Sequence, residues 1–344
     1  MSLEMLFQQV AHYRDADELL GLCQSLSVEQ GRALALYTLD KLKQNKIDQA
    51  TFFQVIERLV AHVPDAVRFV EPDIAPYLVP AWHDIVYLVA SPETRDRLLP
   101  QNDMQAYYAL AWIGDETAQR KLLECEITEK YTLDAGWVFD AHNQRRDLFF
   151  HTAYELFETD DPSPVSIMSP HEDHCRNCHE PLVALLDLDL RDRRLVFLGL
   201  DGDRLRIAFC PWCSPYTLIY TQVDVHGKSI WHSAQFTVDE PEYFVRTIPP
   251  DIPALPPKSM ALAPRRTPYE VVPRPFMYSE GVSQIGGFPS WNLHGDFLRC
   301  PVCDQWMMCV GQVDVPFTAM FDSGIFYAHL CQECLIAVVN YQVV

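Results

Sequence analysis

Four Cys-x-x-Cys pairs carry most of the chemistry this sequence can offer: Cys175/Cys178, Cys210/Cys213, Cys300/Cys303 and Cys331/Cys334. They use eight of the eleven cysteines and fall into two sets, with 31 residues between the pairs of the first and 27 between those of the second. Each set supplies four soft thiolates, the complement of a closed tetrahedral Zn²⁺ site. A two-residue spacer turns both sulfurs of a pair toward one ion, and a pair brought in from a later strand completes the shell. The expectation is two structural zinc ions, each held by four cysteines.

Other uses of these cysteines are weaker. MSLEMLFQQV reads as the start of an amphipathic helix rather than a secretory signal. The expected compartment is therefore the reducing cytoplasm, where metal is favoured over disulfides. Cys210-Pro-Trp-Cys213 resembles a thioredoxin-type redox pair, but that chemistry needs a following helix to lower the first thiol's pKa. Here SPYTLIYTQVDV follows, rich in β-branched and aromatic residues and read as a strand. His171, His174 and His179 flank the first pair and leave a Cys₃His site open, although soft ligands and the symmetry of the two sets favour Cys₄. HEDH spaces its histidines three apart, not the four of a zinc protease helix, and no zinc-deaminase signature occurs. Cys23, Cys125 and Cys309 lie in apolar surroundings and read as small buried hydrophobes.

The two sets match along their length. CRNCHEPLVALLDLDL and RIAFCPWCSPYTLIY parallel CPVCDQWMMCVGQVDV and YAHLCQECLIAVVNY. Asp189 and Asp314 both stand eleven residues after the second cysteine, and Tyr220 and Tyr341 seven after the fourth. The reading is an internal duplication of a β-rich, zinc-ribbon-like module.

The elements that must position these pairs divide the chain. Residues 1–157 read as helical, with apolar residues three and four apart in LEMLFQQVAHY, DADELLGLCQSL, VEQGRALALYTLDKL, QATFFQVIERLVAHV and PYLVPAWHDIVYLVA. AYYALAWIGDETAQRKLLE resembles a HEAT-like repeat: a helix, an Ile-Gly-Asp-Glu turn and a second helix. Such hairpins stack to bury their apolar faces. Residues 158–170 read as a linker, 171–246 as zinc module one, and 280–344 as zinc module two. Module one should contain a hairpin in RRLVFLGLDGDRLRIAFC turning at Asp201-Gly202. Residues 247–279 hold nine of the 25 prolines and read as a connector outside any sheet. The expected fold is α+β: an all-α HEAT-like domain, then two zinc-clamped β-rich pseudo-repeats.

SQIGGFPSWNLHGDFLRCPVC precedes the second set, with Gly286-Gly287-x-Pro289-x-Trp291 followed nine residues later by Cys300. MMCVGQVDVP and GIFYAHLCQEC come after it. In that order these features resemble the programmed-cell-death-protein-2 family and the bacterial YwqG-like (DUF1963) proteins, over about 60 residues near 283–342. The resemblance implies binding roles: chaperoning of a basic ribosomal protein in the first, and suspected antidotes to toxins in the second. Physically, the Gly-Gly pair permits positive φ at a tight turn, and Trp291 is expected to pack on the sheet beside the metal site.

The formal net charge is −20, and residues 1–160 contribute 14 basic and 26 acidic side chains. Two tetrathiolate zinc centres would take the total to about −24. Such a chain is a poor partner for phosphate backbones, but it can steer a basic protein. The functional expectation is an acidic, zinc-stabilised, non-catalytic interaction protein that neutralises or escorts a basic partner, as an immunity protein or chaperone does. The alternatives are a nucleic-acid-associated zinc ribbon, whose only basic clusters are Arg191/Arg193/Arg194 and Arg265/Arg266, or an enzyme with an unrecognised site.

Overall fold

The computed structural model describes residues 2–12, 22–77, 84–233, 256–272, 282–291, 295–315 and 324–343. Parts of the expected helices at 15–26 and 76–90 lie outside these residues. So do the end of module one and both ends of the proline-rich stretch. The chain divides into two units, Met1–Asp147 with Tyr269–Ser279, and Leu148–Pro268 with Glu280–Val344.

The first unit is helical: α1 Leu3–His12, α2 Val28–Lys43, α3 Gln49–His62, α4 Pro64–Arg68, α5 Glu71–Ile74, α6 Pro92–Leu98, α7 Met104–Ile113, α8 Glu116–Leu122 and α9 Thr128–Asp134. Helix α3 is the central one. Phe52, Val55, Ile56 and Leu59 are fully enclosed, and even Arg58 is buried, its guanidinium donating to the carbonyl of Val10. The Ile-Gly-Asp-Glu turn works as its residue types require. Gly114 ends α7 at φ +60°, where a Cβ would be strained. Asp115 then caps α8 by accepting from the amides of Thr117 and Ala118.

The helices stop at Asp134, short of residue 157. Trp137–Phe139 (β1) and Arg145–Asp147 (β2) form a hairpin, and Phe150–Glu158 is already a sheet strand, β3. This aromatic and β-branched stretch favours the pleat over the helix.

The second unit contains one eleven-stranded sheet. Its remaining strands are β4 Val165–His174, β5 Pro181–Asp189, β6 Arg204–Phe209, β7 Ile219–Val223, β8 Ser229–Trp231, β9 Lys258–Pro264, β10 Gln284–Gly287, β11 Met308–Val315, β12 Gly324–Cys331 and β13 Ile336–Val343. They are ordered β6-β5-β4-β9-β3-β10-β11-β12-β13-β7-β8. The two expected modules therefore do not form separate sheets. Three further expectations are corrected. The 158–170 linker gives way to β4, which uses the Val165/Ile167 alternation to enter the core. The 247–279 connector supplies β9, paired on both sides with β3 and β4. This is possible because the prolines near it fall before the strand (Pro256, Pro257) and at its last residue (Pro264), leaving KSMALA free to donate. Finally, β5 and β6 do pair, but Arg193–Leu198 between them is a 3₁₀ turn rather than a strand.

The sheet closes on itself. Leu186, Leu188, Leu205, Ile207 and Phe209 from one end share a core with Phe326, Ala328, Leu330, Ala337 and Val339 from the other. The rings of Phe209 and Phe326 are 4.8 Å apart. The amides of Asp203 and Arg204 both donate to Val225 O, joining the two sheet ends. Around the β9–β3 pair, strand and cysteine order repeats: β4, β5, β6, cysteine pair on one side, and β10, β11, β12, cysteine pair on the other. The symmetry breaks at the last strand. β13 follows its pair back onto β12, whereas β7 crosses to lie beside β13.

Candidate metal centres

The eight cysteines of the four pairs gather into the two expected groups, Cys175/Cys178/Cys210/Cys213 and Cys300/Cys303/Cys331/Cys334, with the sulfurs of each within 4.8 Å of one another. All are free thiols. Sulfur separations are 3.8 Å for Cys175–Cys213, 3.4 Å for Cys178–Cys210 and 3.7 Å for Cys303–Cys331. Four sulfurs placed tetrahedrally at about 2.3 Å from one Zn²⁺ stand about 3.8 Å apart. The spacing therefore fits a metal tetrathiolate, and it is far from the roughly 2.05 Å of a disulfide.

The backbone explains this convergence. In the first pair the amide of Cys175 donates to Glu180 O and that of His179 to Cys175 O, both at 2.8 Å. The third pair repeats the pattern: Cys300 to Gln305 O at 2.8 Å and Asp304 to Cys300 O at 2.9 Å. His179 and Asp304 both adopt left-handed φ, +66° and +58°, which folds each loop back over its sulfurs. His179 thus contributes its backbone, and no imidazole joins either cluster among the described residues. The second pair is closed by Ser214, whose amide donates to Cys210 O and whose hydroxyl accepts from the Cys210 amide. The residues beyond it enter β7, so the helix that redox chemistry at Cys210 would need is not there. The fourth pair forms the β12–β13 hairpin, with Leu335 at φ +54°. The Gln222 amide group, reaching from β7, donates to both Cys334 O and Leu335 O.

Hydrogen bonds with Cys178, Cys210 and Cys213 pull the Cys175 thiol down, while those with Cys175 and Cys178 push Cys210 and Cys213 up. In the second set the Cys303 thiol beside it pushes Cys334 up to about 11. Four thiolates cannot share so small a space unless a cation sits among them. Burial pushes Cys23 and Cys309 up to about 12, which makes them poor nucleophiles.

The segment before the second set is anchored by side chains that the sequence reading did not single out. Gly286 and Gly287 take φ of +69° and +75°, as the tight turn requires. Gln284, Gln312, Tyr327 and Asn340 are cross-strand neighbours on β10, β11, β12 and β13, and together they form one buried polar rung. Gln312 accepts the Ser290 amide at 2.9 Å and donates to Ser290 Oγ at 2.7 Å and Val282 O at 2.9 Å. Tyr327 OH donates to Ser290 O at 2.6 Å. Asn340 holds Asp296 at 3.0 Å. Trp291 thereby lies with its ring parallel to His329, 6° between the planes, and 4.5 Å from the Tyr327 ring. His329 is two residues from Cys331 on the same strand, which places the Trp291 stack beside the second set. A polar residue inside an apolar strand, as in CVGQVDV, was the available signal for this rung.

No protein-family model matches this chain. It is 25% identical over 279 residues to the uncharacterized protein YpfL of Salmonella typhimurium, an alignment covering 74% of this chain and 63% of that protein. The chain thus spans under two thirds of this relative's length. No solved structure matches. Among the described residues no helix is long and apolar enough to cross a membrane.

Proposed function

We propose that this chain is a zinc-stabilised protein-interaction protein that binds a basic protein partner in the cytoplasm, neutralising or escorting it. The observation that carries the reading is the pair of four-sulfur clusters. In each, four cysteine sulfurs would complete a tetrahedron around one ion, so a bound Zn²⁺ would have no open position for water or substrate, unlike a catalytic zinc. The ion's role is then to hold β-strands together. The surface charge supplies the second support. A net −20 attracts cationic proteins and repels phosphate backbones.

In this proposal the helical region, with its α7–turn–α8 hairpin, belongs to the HEAT-like class, and the two halves of the sheet descend from one duplicated zinc-clamped module. The programmed-cell-death-protein-2 and YwqG-like resemblance near residues 283–342 points to the same kind of work, as chaperone or immunity protein. Metal analysis and X-ray absorption should find two zinc ions per chain, each with four sulfurs at about 2.3 Å. Affinity capture should then yield a basic partner whose association slows as salt rises. Acidic captured partners, or turnover of a small molecule that depends on a non-cysteine residue, would refute the binding role.

A further inference from the structure

The two sets of cysteines are not equivalent, and the differences run in one direction. In the first set Cys175, Cys210 and Cys213 are buried and Cys178 is half-buried, and the sulfurs are packed among Leu182, Ala208, Ile219, Trp231 and Trp212. In the second set only Cys300 and Cys331 are buried. Cys303 and Cys334 are half-exposed, and Val302, within the Cys-Pro-Val-Cys loop, is 58% exposed. The charges in the loops differ too. Cys-Arg-Asn-Cys and Cys-Pro-Trp-Cys carry one base and no acid, while Cys-Pro-Val-Cys and Cys-Gln-Glu-Cys carry one acid and no base. Asp304, next to Cys303, adds a second acid, and the nearby Arg299 guanidinium lies over the Trp306 ring and reaches the carbonyl and carboxylate of Asp304.

A zinc tetrathiolate carries about two negative charges. A basic loop and an apolar wall hold it more firmly than acidic loops open to water. Metal leaves such a centre when an incoming ligand reaches the ion or displaces a sulfur, so exposed sulfurs also shorten the route of attack. We propose that the first set is a retained structural zinc site and the second an exchangeable one, which gives up and regains Zn²⁺ while the first stays filled. This rests on the zinc reading above and adds a division of labour to it. Cys300 and Cys303 end the segment that begins at the Ser290 anchor, and Cys331 and Cys334 close the β12–β13 hairpin. Zinc exchange at the second set would thus act on the strands beneath Trp291.

The test uses the full chain, reduced and zinc-loaded. Total zinc is measured first. The protein is then mixed with excess 4-(2-pyridylazo)resorcinol, and release is followed by absorbance. Samples taken along the course are alkylated with N-ethylmaleimide and mapped by mass spectrometry. Two phases of one equivalent each are expected, the first at least about tenfold faster. Alkylation in the fast phase should fall on Cys300, Cys303, Cys331 and Cys334 and spare the first set. Cys334→Ser should remove the fast phase and keep the slow one. The mapping on the unmodified protein decides the matter even where that variant folds poorly. Two equivalents leaving in one phase, or first-set cysteines modified first, would overturn the division of labour alone. A zinc content near zero in freshly reduced protein would overturn the zinc reading with it.

Discussion

Replacing Gln312 should loosen the anchor of the Gly-Gly-x-Pro-x-Trp segment more than any other single change of similar size. The Gln312 side chain is fully enclosed and makes three hydrogen bonds, all to groups that are themselves buried: Ser290 N–H, Ser290 Oγ and Val282 O. Gln312→Leu keeps most of the volume and removes all three. Each buried group left without a partner costs about 1–3 kcal/mol. The Ser290 hydroxyl can rotate to a new partner, so two groups bear most of the loss, and the expected destabilisation is about 3–5 kcal/mol. Tyr327→Phe removes one bond, to Ser290 O, and should cost about 1–2 kcal/mol. Both changes act on Ser290, so the double variant should cost less than the sum. Urea unfolding read through tryptophan fluorescence measures the totals, with zinc content checked in each variant. Native-state hydrogen exchange of the Ser290 amide gives the local reading, and protection there should fall in Gln312→Leu before the rest of the sheet loses any. A loss below about 1 kcal/mol, with Ser290 still protected, would show that the anchor does not depend on this rung.

Other perturbations follow from the same geometry. Gly286→Ala would place a Cβ 2.1 Å from Thr152 O at a φ of +69°, so it should lower stability by about 3 kcal/mol or more, measured by thermal unfolding. Asp115→Ala removes the cap of α8 and the partner of Arg95, 2.7 Å away, and should cost about 1–2 kcal/mol in urea titrations. Burial opposes the charge on Asp115, but the Ala118 amide and Arg95 outweigh it and hold its carboxyl below the usual value. A carboxyl depressed in the folded state stabilises above its unfolded pKa, so this contribution should be present at neutral pH and fade as pH falls through the acid range. Cys300→Ser should lower zinc content by one equivalent and leave the first set filled, as read by metal analysis.

How much of this was legible in the sequence depends on whether a signal was local. The cysteine groups were, because a two-residue spacer has few structural uses and the backbone closure at His179 and Asp304 is the same in both sets. The Gly114–Asp115 turn was equally local. What could not be read was sheet membership. Lys258–Pro264 sits amid prolines and looks like a connector, yet it becomes an interior strand because its own amides are free. Phe150–Glu158 carries no sign that it pairs with residues more than a hundred positions later. The Gln312 rung was hidden for the same reason. A glutamine in a strand becomes an anchor only when Ser290 is brought against it.

The crossing of β7 shows why the two matching cysteine sets share one sheet. Had the first half been folded like the second, β7 would return to β6, as β13 returns to β12. Instead it pairs with β13, and its consecutive residues face opposite ways. Ile219 packs among the first set of cysteines, and Leu218 and Tyr220 pack against the second. Its Gln222 holds the carbonyls of the fourth pair. A strand that follows one cysteine cluster in sequence thus forms a wall of the other in space. The matching tyrosines noted in the sequence, Tyr220 and Tyr341, end in different places for this reason: the first beside Cys300 and Cys331, the second against Phe326 in the central core. Two four-sulfur clusters on one sheet are thus linked by a shared strand, whereas an isolated zinc ribbon would hold only its own loops.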